Sequence, residues 1–263
     1  MWMEVDFHNY RQTHHWRIEE TDECLFLIDV AQPSPYDTDI RRLFEITDQL
    51  HQRVRVALEI DSGILKEKER QRKVNVWLYA PELLARAECV SPAKPRQCYG
   101  VADAAGLHLV KHEIAWDAPA VIEIVLHESI HLWWADQVGK APSLLNEGIA
   151  MYFQSVLGAN AVPEREELRS SWQEYATRAE PGFLRQLCKD EVFWRQDAVR
   201  EPVFKVGGHL ISFLLETYGM SSVREIFLKS HFNDPKLVDH IEDVIGESIE
   251  QLEQRINEST ASA

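Results

Sequence analysis

The feature that most constrains the fold is a long apolar segment, residues 118–134. If this segment is a helix, its hydrophobic side chains lie on nearly every side of the helix instead of forming one stripe. A helix that is apolar almost all round is buried, so this segment predicts a helix enclosed by the rest of the chain. Asp117 is a plausible N-cap, and Pro119 fits the first helical turn. Gly139 follows the expected end, so the predicted helix covers residues 117–137.

The composition supports a folded chain with a sizeable core and excludes some partners. Hydrophobic residues make up 45% of the 263 residues, which excludes a disordered chain. The formal charge of −15 argues against nucleic acid or an anionic membrane as a partner, since both need a basic surface. The N-terminus does not resemble a signal peptide, and no apolar run approaches the roughly 18 residues of a membrane span. A cytoplasmic protein is therefore expected.

The four cysteines are scattered and none has CxxC spacing: Cys24, Cys89, Cys98 and Cys188. In a cytoplasmic chain we expect free thiols. Cys89 and Cys98 flank a proline-rich loop at residues 91–95 and could pair if the protein were exported.

Hydrophobic periodicity predicts a mixed N-terminal half. Short apolar or alternating runs predict strands, and apolar residues spaced by three and four predict a helix. The predicted strands cover residues 25–30, 74–79 and 107–113, and the predicted helix covers residues 37–59. His108 and His112, in the last strand, are interpreted as ordinary surface or edge residues.

The C-terminal half is predicted to be helical. One helix is expected over residues 143–158 and another over residues 203–218, where Gly219 ends it. Capping boxes predict the starts of two further helices, and they are formed by Ser222 with Glu225 and by Ser248 with Gln251.

The apolar helix carries His127, Glu128 and His131 in an HExxH pattern, a signature of metalloproteases. Residues i and i+4 lie about 40° apart around a helix axis, so both imidazoles point the same way and can bind one metal ion. The adjacent Glu128 carboxylate can reach a metal-bound water and act as its general base. The alternative is that the two histidines are hydrogen-bonded core residues of a buried helix. Burying both imidazoles together with the carboxylates of Glu123 and Glu128 would, however, be costly if they had no partners.

A third ligand is expected at Glu147, at the start of the next helix. Fifteen residues separate it from His131, enough for one helix to end and a second to return beside the first. Gly148 would let the backbones of these two helices approach closely. Two histidines, one glutamate and an open position for water make a catalytic rather than a structural zinc site.

These residues resemble the gluzincin metallopeptidases, especially the peptidase MA-like and aminopeptidase-like members. The resemblance rests on HExxH followed by Trp133 and on residues 145–152, which match an LNEGxAxY pattern. It implies a thermolysin-like zincin of the α+β class that forms a single catalytic domain over residues 1–263. An α/β subdomain with a twisted sheet, residues 1–138, would carry the active-site helix at its junction with a mostly helical subdomain, residues 139–263. The edge strand of the sheet would bind extended peptide.

The chain departs from the gluzincin pattern at the residue that stabilises the oxyanion. The aminopeptidases have a tyrosine where Phe204 stands, and phenylalanine has no donor. The loss of such a donor costs on the order of 10²–10³ in rate. His209, Tyr152 and Tyr218 are candidates to replace it.

The resemblance is also incomplete around the metal and the substrate amino group. Met151 replaces the acidic residue found four positions after the third ligand in thermolysin. Glu123 is an alternative hydrogen-bond partner for an imidazole, or else a charge on the helix surface. Asp103 poorly matches the glutamate that holds a substrate amino terminus in the aminopeptidases and is interpreted as a loop residue.

The resemblance implies a peptidase that hydrolyses peptide bonds with a water activated by Glu128. His127, His131 and Glu147 would hold Zn²⁺, and the partner would be a peptide or protein substrate. Two alternatives stay open, namely a catalytically silent zinc-binding scaffold or binding module with the same fold, and an enzyme that hydrolyses a non-peptide amide. Retention of Glu128 favours an enzyme, because a structural zinc site does not need that carboxylate.

Overall fold

A computed structural model describes seven segments of the chain, residues 7–30, 39–59, 73–79, 98–111, 114–159, 161–195 and 200–261. The loop expected at residues 91–95, Cys89 and His112 lie outside these segments. The described chain is mixed α+β, with one five-stranded sheet and a larger share of helix. It divides into two compact units, Met1–Trp133 and Trp134–Ala263.

The first unit is built on a mixed sheet with the order β1-β2-β3-β5-β4. The strands are β1 (Trp16–Glu20), β2 (Cys24–Asp29), β3 (Val74–Tyr79), β4 (Cys98–Asp103) and β5 (Gly106–Lys111). The three inner strands are parallel, and β1 and β4 pair antiparallel at the two ends. The predicted strands correspond to β2, β3 and β5, whereas β1 and β4 were not predicted.

Three helices accompany this sheet, α1 (Phe7–Thr13), α2 (Asp39–Ala57) and the first part of α3 (Pro119–Val138). The predicted apolar helix is α3, which confirms the expectation for this segment. Asp117 lies in the turn before it, where its carboxylate is 3.5 Å from Arg42 Nε.

The second unit is helical in its described residues, as predicted. After the end of α3 its helices are α4 (Ser143–Leu157), α5 (Ala161–Arg178), α6 (Phe183–Leu187), α7 (Asp190–Arg195), α8 (Arg200–Lys229), α9 (Leu237–Ile245) and α10 (Ile249–Ala261). Gly219 has φ 80° and ψ 169°, which are not helical values, so α8 consists of two helical stretches and the first ends at Gly219 as predicted.

One predicted capping box is confirmed and the other is wrong. The backbone N–H of Ser248 donates to Gln251 Oε1 at 2.9 Å, and the N–H of Gln251 donates to Ser248 Oγ at 3.2 Å. Ser222 lies inside α8 instead of starting a helix, and its hydroxyl donates to Tyr218 O at 3.0 Å. The second stretch of α8 begins directly after Gly219, before Ser222.

The described cysteines are buried. Cys24 and Cys188 are free thiols, as expected, and Cys98 is buried in β4. Burial raises the pKa of Cys188 to about 12, so this thiol is unreactive at neutral pH. Among the described residues, every helix is too short or too polar to cross a membrane.

Helices α4 and α8 cross with their backbones in contact. A Cβ on Gly148 would lie 2.6 Å from Gly207 O, and a Cβ on Gly207 would lie 2.5 Å from Leu144 O. Gly148 was expected to allow a close approach to the HExxH helix, but the atoms nearest to its added Cβ belong to α8, a partner that the sequence did not indicate.

Replacing Gly148 with alanine is expected to destabilise the protein by about 1–3 kcal/mol, the usual cost of overpacking. In an ordinary helix the same change stabilises by roughly 0.5–1 kcal/mol, so the sign of the effect reports the backbone contact. Gly208→Ala is the comparison variant and should cost less, because its Cβ would meet side-chain atoms, a Leu168 methyl group at 2.9 Å and Met151 Cβ at 3.0 Å, instead of backbone atoms. Urea unfolding measures both changes, and a Gly148→Ala variant as stable as wild type would exclude the contact.

Candidate metal centre

Helix α3 places His127 and His131 one turn apart, as the HExxH spacing predicts. Their Nε2 atoms lie 3.1 Å apart, and both side chains are partly buried. Two imidazoles that bind a tetrahedral zinc ion at about 2.0–2.1 Å have nitrogens about 3.3 Å apart. The pair therefore has the separation that one shared ion requires.

Glu147, in α4, completes a group of three metal-binding side chains. The ligand atoms of His127, His131 and Glu147 all lie within 4.8 Å of one another. The structure thus brings together the three residues predicted as ligands, in a group that could hold a metal ion. Imidazole nitrogen and carboxylate oxygen are zinc ligands, and a set of three leaves a position for water. Other divalent transition ions accept the same donors.

Side chains of α7 hold the first turn of α4, which precedes Glu147. The backbone N–H of Ser143 donates to Asp190 Oδ1 at 2.6 Å, and Trp194 Nε1 donates to Ser143 Oγ at 2.9 Å. Asp190 Oδ2 also accepts the N–H of Asn233 at 2.9 Å. Asp190 therefore caps the helix on which the glutamate ligand lies. Its sequence neighbours give no signal of this role, because the contact spans more than forty residues.

A buried histidine of α2, His51, holds α3 through contacts with Trp133 and Ser129. Trp133 Nε1 donates to His51 Nδ1 at 2.7 Å, which leaves the proton on Nε2, 3.4 Å from Ser129 Oγ. Burial, and then the charge of Arg55, lowers the pKa of His51 to about 3. His51 is thus neutral at ordinary pH and ties α2 to the helix that carries HExxH.

The pKa of His51 also gives the pH range in which acid disfavours this packing. In the unfolded chain His51 takes up a proton near its ordinary pKa of 6.5, whereas in the folded protein its pKa is about 3. The contribution of His51 to stability is therefore present above about pH 6.5 and is lost as the pH falls from there toward 3.

Glu128 lies beside strand β4. A Cβ built on Gly100 would lie 3.2 Å from Glu128 Cγ and would collide with Ile124. The absence of a side chain at Gly100 therefore lets the strand pass directly over the face of α3 that bears the predicted general base. Glu128 is partly buried and is not a member of the three-ligand group.

Two expectations for residues near this strand are wrong. Asp103 ends β4 instead of lying in a loop, and its Oδ1 accepts hydrogen bonds from Ala105 N at 2.6 Å and from His108 Nε2 at 2.8 Å. His108 is fully buried instead of lying at the surface, and its Nδ1 accepts from the Tyr79 hydroxyl at 2.7 Å. Both ring nitrogens find partners across the sheet, which is why a polar side chain is tolerated there.

The structure gives each candidate oxyanion donor a defined environment. Tyr152 is a partly buried residue of α4, and burial raises its pKa. His209 lies on α8 with its ring centroid 5.7 Å from that of Trp172, and burial followed by the charge of Arg169 lowers its pKa to about 4. Its Nε2 is buried and has no hydrogen-bond partner among the described residues. The catalytic roles of Tyr152 and His209 stay predictions.

Phe204 and Tyr218 are engaged in contacts of their own. The Phe204 ring stacks on Phe193 with centroids 5.5 Å apart and meets Trp194 edge-on at 6.1 Å. The Tyr218 hydroxyl donates to Glu247 and accepts from Arg255 Nη1 at 2.6 Å. Tyr218 is therefore committed to a hydrogen-bonded pair, which makes it the weakest of the three candidate donors.

Comparisons with known proteins do not assign the chain to a family. No family model matches the sequence, and no curated protein matches it significantly.

Proposed function

We propose that the chain is a zinc-dependent peptidase of the gluzincin type, with a thermolysin-like catalytic arrangement. One observation carries the proposal: the ligand atoms of His127, His131 and Glu147 lie within 4.8 Å of one another, and Glu128, next to His127 in the chain, stays outside the group. Structural zinc sites are closed by four protein ligands, whereas catalytic sites have three and an open position. A set of three ligands with a further carboxylate beside it is therefore typical of the zinc site of a hydrolase.

The roles of the side chains follow from their places on the two helices. His127 and His131 would hold the ion from α3, and Glu147 from α4. A zinc ion held by these residues would supply Lewis-acid chemistry, polarising the substrate carbonyl and lowering the pKa of water to about 7. Glu128 would accept a proton from the attacking water on its carboxylate and return it to the leaving amine.

The neighbourhood of Glu128 favours an extended peptide as the substrate. Strand β4 is the last strand of the sheet, and its outer edge has no strand neighbour in the part of the chain that the structure describes. An extended peptide can add to such an edge through main-chain hydrogen bonds. Gly100 of this strand lies against Glu128, so a peptide on this edge would run close to the general base.

The remaining parts of the proposal are the compartment and the partners. The free, buried thiols of Cys24 and Cys188 support a reducing compartment such as the cytoplasm. The net charge of −15 supports a peptide partner over nucleic acid or an anionic membrane.

The second candidate is a zinc-binding scaffold without activity, and Phe204 is the observation that favours it. The position that carries the oxyanion-stabilising tyrosine in the aminopeptidases is here a phenylalanine packed against Phe193 and Trp194. Without a replacement donor, catalysis would fall by on the order of 10²–10³-fold.

Metal analysis of the purified protein tests the proposed centre. Wild type should retain about one tightly bound zinc ion per chain, as expected of three converging ligands. His131→Ala should lose most of this zinc, because one of the three ligands is gone. The matched control is His15→Asn, which changes an exposed histidine outside the group. Wild-type protein that contains no stoichiometric zinc after preparation without chelators would remove the basis of the proposal.

A further inference from the structure

Helix α4, which carries the proposed ligand Glu147, begins without a cap from its own chain. Its N-cap residue is Pro142, which makes no side-chain hydrogen bond to the helix. Ser143, the first residue of the helix, is only 2% exposed. A buried backbone N–H needs an acceptor, and the N–H of Ser143 finds one in Asp190, a residue of α7.

Helix α7 holds Ser143 at two different atoms. Asp190 Oδ1 accepts the backbone N–H at 2.6 Å, and Trp194 Nε1, one turn along α7, donates to the side-chain oxygen at 2.9 Å. The other carboxylate oxygen of Asp190 accepts the N–H of Asn233 at 2.9 Å, so the same side chain is tied to the turn between α8 and α9. Two bonds to different atoms of one residue restrict the rotation of α4 about its own axis, which a single bond would not.

Helix geometry transmits the restraint at Ser143 to Glu147. Residues four apart lie one turn from each other and about 40° apart around the axis, so both side chains lie on one side of α4. A side-chain atom at the outer radius of a helix, about 5–6 Å, moves by about 1 Å when the helix rotates by about 10°. A functional site tolerates only about 0.5 Å, so the rotation of α4 must be fixed for Glu147 to meet an ion shared with His127 and His131.

We propose that Asp190 is a positioning residue for Glu147, which acts through the first turn of α4. This role rests on the proposed zinc centre and adds a determinant of its affinity from outside the set of ligands. The alternative is that the crossing of α4 with α8 at Gly148 fixes the helix alone, in which case Asp190 contributes only to folding.

Glu253 provides a matched control, because it makes the same kind of contact at a helix without a metal ligand. Its two carboxylate oxygens accept the backbone N–H of Gly182 at 2.9 Å and of Leu184 at 2.8 Å, at the start of α6. Glu253→Ala and Asp190→Ala each remove a carboxylate that accepts two backbone N–H groups, so both should lower the midpoint of urea unfolding. Zinc binding should weaken in Asp190→Ala alone, by about tenfold, the low end of the 10–100-fold cost of losing an outer partner.

A double-mutant cycle tests whether the effect of Asp190 passes through Glu147. Zinc affinity is measured by chelator competition on folded wild type, Asp190→Ala, Glu147→Ala and the double variant. Asp190→Ala should cost about tenfold when Glu147 is present and less than about twofold when it is absent, whereas a general loss of helix stability would cost the same in both backgrounds. Should either alanine variant fail to fold, Asp190→Asn and Glu253→Gln make the same comparison with a smaller change, since an amide keeps one accepting oxygen.

Two results would overturn this role. One is an Asp190→Ala protein that binds zinc within about twofold of Glu253→Ala. The other is an equal loss of affinity with and without Glu147, which would place the effect elsewhere in the fold. Both results require zinc in wild type and so leave the proposed peptidase centre standing, whereas wild type without zinc would remove the centre and this role together.

Discussion

Replacing Glu128 with glutamine is expected to lower peptide hydrolysis by about 10²–10⁴-fold, the usual contribution of general-base catalysis. Glutamine is nearly isosteric with glutamate, but its amide cannot accept a proton from water. Because Glu128 is not one of the three ligand residues, the variant should keep its zinc and its unfolding temperature. The measurement is kcat/KM on a broad peptide library, with zinc content determined on the same samples.

Glu123→Gln is the matched control, since it makes the same chemical change on the same helix. Glu123 is exposed, which favours a surface charge over an imidazole partner. We therefore expect activity close to that of wild type. If Glu123 did orient a histidine ligand, its removal would cost about 10–100-fold in metal affinity, and the zinc measurement would detect this.

One outcome would contradict the proposed enzymatic activity. If wild type and Glu128→Gln are equally inert on diverse peptides and both contain zinc, the scaffold alternative becomes the better one. Activity confined to short peptides would instead indicate a restricted substrate site and would keep Glu128 as the base.

The features that the sequence predicted well are those set by local geometry. The i, i+4 spacing of His127 and His131 places both rings on one helix face whatever surrounds the helix. The glutamate ligand could be foreseen because it lies at the start of the next helix. The capping box of Ser248 and Gln251 is likewise a contact between residues three apart.

The features that could not be predicted depend on contacts between distant parts of the chain. His108 was assigned to the surface because a strand pattern does not show which strands flank it, and in the sheet it lies between β3 and β4 neighbours. His51 and Asp190 support the helices of the site through partners 82 and 47 residues away. The helix start expected at Ser222 was also misplaced, because the capping pattern does not show that the second stretch of α8 begins directly after Gly219.

Replacing Glu147 with alanine is expected to weaken zinc binding by at least about 100-fold, since loss of a ligand should exceed the 10–100-fold cost of losing an outer partner. Two imidazoles from one helix would remain, and they cannot complete a catalytic site alone. Peptide hydrolysis should fall with the zinc. Competition with a chelator of known affinity measures the change.

The expected result depends on Glu147 acting as a ligand and not merely as a residue of α4. Gln154→Ala is the matched control, because residue 154 lies two turns further along the same helix face and reports any effect of helix stability. Glu147→Gln separates charge from position, since its amide oxygen is a weaker ligand in the same place, and it should retain more zinc than the alanine variant. If Glu147→Ala binds zinc as tightly as Gln154→Ala, a different third ligand must hold the ion. The gluzincin assignment would then fail, although binding by His127 and His131 would stand.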